Sequence, residues 1–238
     1  MKLDILAIGA HPDDVELSCA GTLLKHMALG KTAGILDLTA GELGSRGTPE
    51  IRKQEATAAA AILGVLVRDN LGQADGFFRN DQEHQLQLIQ KIRLYRPEII
   101  LCNATSDRHP DHGRAAALVS ESCFYSGLRK IETRQDGQLQ EVWRPKAVYH
   151  YLQDRYLKPD FLVDITPYLQ KKLDAIRAFS SQFHDPASTE PQTPISSKQF
   201  LDFVISRSMH NGRDIQADHA EAFTVDRTPG VNNLFDLI

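Results

Sequence analysis

Short apolar segments recur through the first half of the chain, each followed by a segment with helical periodicity. They begin near residues 4, 33, 65 and 98, so successive segments lie about one strand–helix–strand unit apart. This alternation favours a mostly parallel sheet with helices on both faces and right-handed crossovers. Further apolar segments at 147–152 and 161–165 extend the sheet. We therefore predict an α/β fold in which residues 1–238 form one domain.

Residues that start and stop helices separate the predicted strands. Thr48 and Pro49 are typical of an N-cap and a first helical position, Asp81 is a second N-cap candidate, and Gly30 marks a helix end. The segment 184–195 contains three prolines and is predicted to be a long surface loop, with a candidate role as a lid. The predicted helices cover residues 16–29, 49–63, 81–95, 111–127, 167–183 and 197–209.

Charge indicates which partners are expected, and cysteine content indicates which cellular compartment is expected. The chain has 238 residues, a formal net charge of -4 and no long basic run, so a nucleic-acid partner is not expected. Cys19, Cys102 and Cys123 form no CxxC pair, which favours buried free thiols and a cytoplasmic protein. The N-terminal apolar run is short and interrupted by Asp4, which argues against a signal peptide or a membrane span.

Two dense clusters of ionisable side chains follow the first and the fourth predicted strands. The first occupies residues 10–14 (AHPDD) and the second residues 107–112 (DRHPDH). In open parallel sheets, ligands bind beyond the carboxyl ends of the strands. The fold should therefore bring these two clusters to one edge of the sheet, although roughly 100 residues separate them along the chain.

The side chains in these clusters suit a divalent cation. Adjacent carboxylates, as at Asp13 and Asp14, repel each other unless a positive charge compensates them. A catalytic zinc site commonly takes three ligands from His, Asp and Glu and leaves one position open. We predict that His11, Asp14 and His112 bind one divalent metal ion per chain. Zn²⁺ is the first choice and Fe²⁺ the alternative, because the same donors suit both ions.

Three further side chains in the clusters are suited to catalysis. Asp13 would lie beside the open metal position and act as general base. Protonated His109 would stabilise an oxyanion and then protonate a leaving amine, while Asp111 would accept a hydrogen bond from His109 and fix its tautomer. A bound cation would lower the pKa of water and polarise the scissile carbonyl. These residues indicate hydrolysis, because a module that only binds a metal or a sugar needs neither the base nor the acid.

The clusters resemble the motifs of the PIG-L/LmbE family of metal-dependent N-acetylglucosamine deacetylases, as AHPDDVE at 10–16 and HPDH at 109–112. The resemblance continues through the glycine-rich segment 34–48, KPDFLVDIT at 158–166 and DHAEAF at 218–223. It is nearest to the bacterial subgroup that deacetylates N-acetylglucosaminyl-malate in bacillithiol biosynthesis. The resemblance implies a Rossmann-like fold, an N-acetylated amino-sugar substrate, and the same metal-binding and catalytic roles for the residues named above.

The resemblance also provides candidate substrate-binding residues. Arg52 matches a residue that the family uses near the substrate, although on a helix it could equally pair with Glu50 or Glu55. Arg108 is a candidate for binding a substrate carboxylate. His219 occupies a position where similar proteins often carry Tyr, so it either replaces that Tyr or marks a different substrate.

Several alternatives stay open at this point. The group attached to the sugar, the aglycone, could be malate, another polar group or a further N-acetylated sugar. A non-catalytic metal- or sugar-binding module and a metal-dependent ester or phosphoester hydrolase are the competing functions. We expect a small-molecule substrate and a homo-oligomer, and neither nucleic acid nor a membrane as partner.

Overall fold

A seven-stranded sheet forms the centre of the computed structural model, which describes residues 1–185 and 188–237. Its strand order is β3-β2-β1-β4-β7-β9-β8. The strands of the central sheet are β1 (Ile5–Gly9), β2 (Ala33–Thr39), β3 (Val67–Gln73), β4 (Ile99–Cys102), β7 (Ala147–Tyr151), β8 (Phe161–Asp164) and β9 (Ala220–Val225). A separate antiparallel hairpin pairs β5 (Arg134–Gln135) with β6 (Gln138–Leu139).

Strand direction confirms the predicted α/β architecture. The pairs β3–β2, β2–β1, β1–β4 and β4–β7 are all parallel. Only β9 breaks the pattern among these described strands, because it runs antiparallel to both β7 and β8. The sheet is therefore mostly parallel, with a mixed edge at its C-terminal side.

Helices cover both faces of this sheet. The helices are α1 (Asp14–Ser18), α2 (Ala20–Ala28), α3 (Pro49–Leu63), α4 (Gln82–Tyr95), α5 (Pro110–Tyr125), α6 (Leu169–Arg177) and α7 (Lys198–Asp214). Short 3₁₀ turns span Thr166–Tyr168 and Leu234–Asp236. The predicted N-caps are confirmed, since Thr48 accepts a hydrogen bond from the Ile51 amide and Asp81 accepts one from the His84 amide.

Several predicted boundaries are wrong. The helix predicted over 16–29 is two helices, because the backbone at Cys19 leaves the helical region with a φ of -139°. The third strand begins at Val67, two residues after the predicted start near 65, and runs to Gln73. The helix predicted over 167–183 ends at Arg177, and the last helix continues past 209 to Asp214.

Strands β1 and β2 supply core to both faces of the sheet. All residues of β1 and β2 are buried. Leu6 and Leu36 pack on one face with side chains from α4 and α5, whereas Ala7 and Ile35 pack on the other with side chains from α1 and α2. Strands buried on both faces explain the continuous apolar runs in the sequence.

The cysteines are buried free thiols, as the sequence predicts. All three are free and buried in the structure. Across the described part of the chain, no helix combines the length and the apolar character that crossing a membrane requires.

Candidate metal centre

The two clusters meet where β1 and β4 end. The Ala10 amide, directly after β1, donates to the side-chain oxygen of Asn103, directly after β4, over 2.9 Å. The ring centroids of His11 and His109 lie 4.6 Å apart, and those of His11 and His112 lie 5.6 Å apart. The expectation that these distant turns share one edge of the sheet is thereby met in the geometry.

Asp14 is the buried carboxylate at the centre of this cluster. It accepts hydrogen bonds from the His11 amide at 3.0 Å, from Asn103 Nδ2 at 3.0 Å and from Gln153 Nε2 at 2.6 Å. Its oxygens also lie 3.2 Å from His112 Nε2 and 3.6 Å from His11 Nδ1. One carboxylate therefore faces a ring nitrogen of each histidine.

The other ring nitrogen of each histidine faces a different carboxylate. Nδ1 of His112 lies 2.6 Å from Asp107, while Nε2 of His11 lies 3.0 Å from Asp75 and 3.3 Å from Asp111. A histidine that donates one ring N–H to a carboxylate presents its second nitrogen as a metal donor with a fixed orientation. This pattern leaves Nδ1 of His11 and Nε2 of His112 directed towards Asp14.

These separations are compatible with a shared cation. Two ligand atoms about 2.1 Å from a tetrahedral ion lie about 3.4 Å apart. The contacts of Asp14 with His112 and His11, at 3.2 and 3.6 Å, bracket that value. In the described part of the chain, the sets whose donor atoms lie mutually within 4.8 Å are His11 with His109 and His112, and His11 with Asp75 and Asp111. Asp14 is outside these sets and faces His112 with Oδ1 and His11 with Oδ2.

The surrounding carboxylates favour protonation of both histidines. Burial alone lowers the pKa of His11, but hydrogen bonds to Asp111, Asp14 and Asp75 raise it well above its usual value. Burial likewise opposes protonation of His112, and Asp14 and Asp107 raise its pKa to about 9. A divalent cation would displace these protons and provide the same compensation for the carboxylates.

Asp13 is held at the edge of the cluster in an uncommon backbone conformation. Its φ is +121°, where L residues other than glycine are rarely found and which costs conformational energy. Its buried carboxylate lies 3.2 Å from Nη2 of Arg52. Burial raises the pKa of Asp13 to about 7, although the charge of Arg52 opposes that shift. Such a carboxyl group is suited to accept a proton near neutral pH.

The buried side chain of Arg52 fixes the backbone on both sides of this carboxylate. Its guanidinium donates to the carbonyl oxygens of Pro12 and Gly41 as well as to Asp13. Gly41 has a φ of +67°, and a Cβ built there would lie 1.9 Å from Nη1 of Arg52. The positive φ and this close approach together favour glycine at position 41. The helix-surface pairing with Glu50 or Glu55 is not what the structure shows for Arg52.

The structure changes the expected contacts of Asp111. Its carboxylate faces His11 at 3.3 Å, the Gly76 amide at 2.8 Å and Arg114 at 2.6 Å. With His109 it shares only a bond from its own backbone N–H to the ring Nδ1 at 3.3 Å. Because His109 is the N-cap of α5, its Nδ1 faces the first-turn amides, and the side chain of Asp111 turns to His11 instead.

Of the two other candidate substrate-binding residues, Arg108 and His219, only the first lines the cavity in the described structure. Arg108 lines the cavity at this site, but its guanidinium already pairs with Asp154, Nε to Oδ2, over 2.5 Å. The ring of His219 lies 2.9 Å from the Ser208 hydroxyl on α7 and is not among the described residues that line this cavity. The structure thus places Arg108 at the site, whereas His219 does not line it.

A cavity of about 360 Å³ gives access to the cluster. Its floor contains His11, Asp13, Asp14, His109 and His112. Its walls come from the loop after β2 and from the segment before α7, namely Leu43, Gly44, Ser45, Thr193, Pro194 and Ile195. These two walls are tied together, because the guanidinium of Arg46 donates to the Ser188 hydroxyl at 3.0 Å and the Pro191 carbonyl at 3.1 Å. Of the candidate lid 184–195, residues 186 and 187 lie outside the described residues.

Asp75 and Asp107 are site residues to which the sequence patterns assigned no role. Asp107 belongs to the second motif cluster, and its spacing of five from His112 on either side of a helix start could have indicated the contact. Asp75 follows β3, so the rule that sites form at strand ends would have found it had the strand been extended to Gln73. Each carboxylate contacts a histidine ring nitrogen, and Asp75 also lines the cavity.

Comparison with known proteins places the chain in a family. Residues 6–123 match the family PIG-L, described as GlcNAc-PI de-N-acetylase. A diacetylchitobiose deacetylase of Thermococcus kodakarensis is 29% identical over 189 residues, which cover 75% of this chain and 70% of that protein. A Bacillus anthracis protein described as "Probable N-acetyl-alpha-D-glucosaminyl L-malate deacetylase 2" is 26% identical over 192 residues, covering 75% of this chain and 81% of that one.

The fold agrees with these matches. The crystal structure of the conserved protein TT1542 from Thermus thermophilus superposes with a TM-score of 0.87 and 34% identity, covering 98% of each chain. The sequence motifs, the strand-end cluster and these likenesses lead to one conclusion: the chain belongs to the PIG-L family.

Proposed function

We propose that this chain hydrolyses the N-acetyl amide of an N-acetylglucosaminyl conjugate with the help of one divalent metal ion. The observation that carries the proposal is the contact of Asp14 with both His11 and His112, with Asp13 and His109 at the same cavity. A binding module would need the first three residues but not a flanking base and acid. The products would be acetate and a free amino sugar.

The proposed ligands are His11, Asp14 and His112. Asp75 with Asp111 and Asp107 would orient the two imidazoles through their second nitrogens, as the contacts at 2.6–3.3 Å suggest. A divalent cation bound there would lower the pKa of water and polarise the acetyl carbonyl. Zn²⁺ is the first candidate, because two histidines and one carboxylate are a common set for catalytic zinc.

The remaining side chains would handle the protons of the reaction. Asp13 would accept a proton from the attacking water, while Arg52 holds the Asp13 carboxylate in place. His109 would donate a proton to the departing amine. Burial is the largest influence that lowers the pKa of His109, so its imidazolium, once formed, is a stronger acid than usual. Protonated His109 would also stabilise the oxyanion as it forms.

N-acetylglucosaminyl-malate is the first candidate substrate, and N,N′-diacetylchitobiose is the second. The similarity to the proteins from Bacillus anthracis and Thermococcus kodakarensis supports these two choices respectively. Both substrates place an N-acetylglucosamine unit at the reaction centre and differ in the aglycone.

A substrate panel on one preparation tests the proposal. Release of free amine would be measured with N-acetylglucosaminyl-malate, N,N′-diacetylchitobiose and an ester analogue, and bound metal would be quantified in the same sample. We expect amide hydrolysis that stops with chelator and returns with Zn²⁺ or Fe²⁺. Ester hydrolysis without amide hydrolysis, or turnover that chelator leaves unchanged, would contradict the proposal.

A further inference from the structure

A small side cavity opens beside the candidate metal centre. Its volume is about 30 Å³, and it shares His109 and His112 with the larger cavity. Its far wall comes from α7, which contributes Phe203 and Arg207. A space of this size holds about two water-sized atoms, or the two oxygens of a carboxylate.

The guanidinium of Arg207 has no hydrogen bond or ion pair with any residue in the ranges 1–185 and 188–237. Its Cζ lies 5.3 Å from the ring centroid of Phe203, so an aromatic ring lies near the guanidinium. Arg207 is only partly exposed. Burial lowers the pKa of Arg207, and the charges of Asp154 and Asp107 act in the opposite direction.

The acidic residues around Arg207 are already paired with other groups. Asp154 binds Arg108 over 2.5 Å, and Asp107 binds His112 over 2.6 Å. Among the charged side chains that line the side cavity in the described structure, Arg207 is thus the one whose charge no ion pair compensates. The side cavity therefore favours an anionic group.

The shape of the guanidinium narrows the kind of anion. Arginine presents a planar set of N–H donors that matches the two oxygens of a carboxylate. A tetrahedral phosphate or sulfate is bulkier than a planar carboxylate, so the carboxylate is the better fit to this small side cavity. A carboxylate on a substrate bound at His109 and His112 would need to reach only the adjoining wall.

We propose that Arg207 binds a carboxylate carried by the aglycone of the substrate and thereby selects for an anionic conjugate. This inference rests on the proposed deacetylase function, which it deepens by assigning the residue that distinguishes a malate conjugate from a neutral disaccharide. Arg108 contributes less, because Asp154 already occupies its guanidinium.

The first test compares two substrates in three metal-loaded proteins: the wild type, Arg207→Gln and Arg213→Gln. Arg213 is an exposed arginine in the last turn of the same helix, so its variant removes the same charge away from the side cavity. For Arg207→Gln, we expect the ratio of kcat/KM for N-acetylglucosaminyl-malate to that for N,N′-diacetylchitobiose to fall about tenfold or more, mainly through KM. The ratio should be unchanged in Arg213→Gln, and Arg207→Lys should recover part of it. An unchanged ratio in folded Arg207→Gln would overturn the proposal.

A binding measurement separates this proposal from the proposed function. The dissociation constants of L-malate and of acetate would be measured by calorimetry on the same three proteins. If the chain deacetylates neither substrate, the proposed function fails, while a malate constant that rises several-fold in Arg207→Gln alone still supports the carboxylate site. Equal malate constants in the wild type and Arg207→Gln would refute the site. Loss of acetate binding to the same extent as malate binding would assign Arg207 to the released acetate and refute the aglycone assignment.

Discussion

The guanidinium of Arg52 lies 3.2 Å from the carboxylate of Asp13, although 39 positions separate the two residues. The same guanidinium donates to the carbonyls of Pro12 and Gly41. A single side chain of α3 thus holds the loop after β1, the loop after β2 and the proposed base together. Its contacts are with the protein at Asp13, so we assign Arg52 a positioning role in addition to its place in the cavity wall.

Replacing Arg52 should impair both catalysis and stability. In Arg52→Gln we expect kcat to fall at least about tenfold, because Asp13 loses its partner. The buried carbonyl oxygens that lose a donor should lower the free energy of unfolding by about 1–3 kcal/mol. Steady-state kinetics and urea unfolding measure the two effects. Lys53→Gln, at the next and exposed position of α3, is the matched control and should change neither. Wild-type kcat in Arg52→Gln would rule out the positioning role.

Removing only the charge of Asp13 should separate metal binding from turnover. Asp13→Asn is expected to keep its metal and to lose about 10²-fold or more in kcat, since an amide cannot accept the proton from water. Metal content and kcat would be determined on one preparation, with a thermal melt to show that the fold is retained. Full activity in this variant would remove Asp13 from the role of base.

Much of this arrangement could be predicted from the sequence because it depends on local patterns. The buried runs of β1 and β2 and the caps at Thr48 and Asp81 are each encoded within a few adjacent residues. The strands predicted to begin near residues 4 and 98 were enough to bring the two motif clusters to one edge of the sheet.

The elements that were missed depend on long-range partners. Strand β9 was not predicted, and it carries a buried Glu221 whose charge is paired with Lys172, 49 positions earlier. No local sequence pattern predicts an ion pair between such distant positions. The break between α1 and α2 falls at Cys19, which is neither Gly nor Pro. The orientation of the Asp111 side chain towards His11 depends on a contact across 100 positions.

A second buried ion network supports the loop that carries the proposed ligands. Arg68 on β3 binds Asp37 over 2.8 Å and also contacts Glu16, two residues beyond Asp14. Burial raises the pKa of Glu16 and of Asp37, and the charge of Arg68 opposes both shifts. Arg68→Met leaves two buried carboxylates unpaired and should lower the free energy of unfolding by about 3–5 kcal/mol.

Urea unfolding at neutral pH measures this effect. Adding Glu16→Gln and Asp37→Asn to Arg68→Met should recover part of the loss, because the uncompensated charges are then gone. A loss below about 1 kcal/mol in Arg68→Met alone would show that the network does not stabilise the loop.

Asp4 contributes to the pH dependence of stability and lies away from the metal centre. Asp4 accepts hydrogen bonds from the amide and the hydroxyl of Thr32, each over 2.8 Å, and these bonds lower the pKa of Asp4. The folded state therefore binds this proton less readily than the unfolded state does. The contribution is present above the usual Asp pKa and is lost as pH falls towards the lower folded value.

Thermal melts of wild type and Asp4→Asn across pH 3–7 measure this contribution. Asp4→Asn should be less stable than the wild type at pH 7, and the difference between the two proteins should shrink below about pH 4. A difference in Tm that stays constant over the whole range would show that ionisation of Asp4 does not contribute.

The position of the metal ion tests the account most directly. Anomalous diffraction at the zinc edge from Zn²⁺-loaded crystals would locate it without reference to activity. We predict one site per chain, about 2.0–2.2 Å from a ring nitrogen of His11, an oxygen of Asp14 and a ring nitrogen of His112. An ion bound instead between His11, Asp75 and Asp111, or no ordered ion near these side chains, would contradict the account.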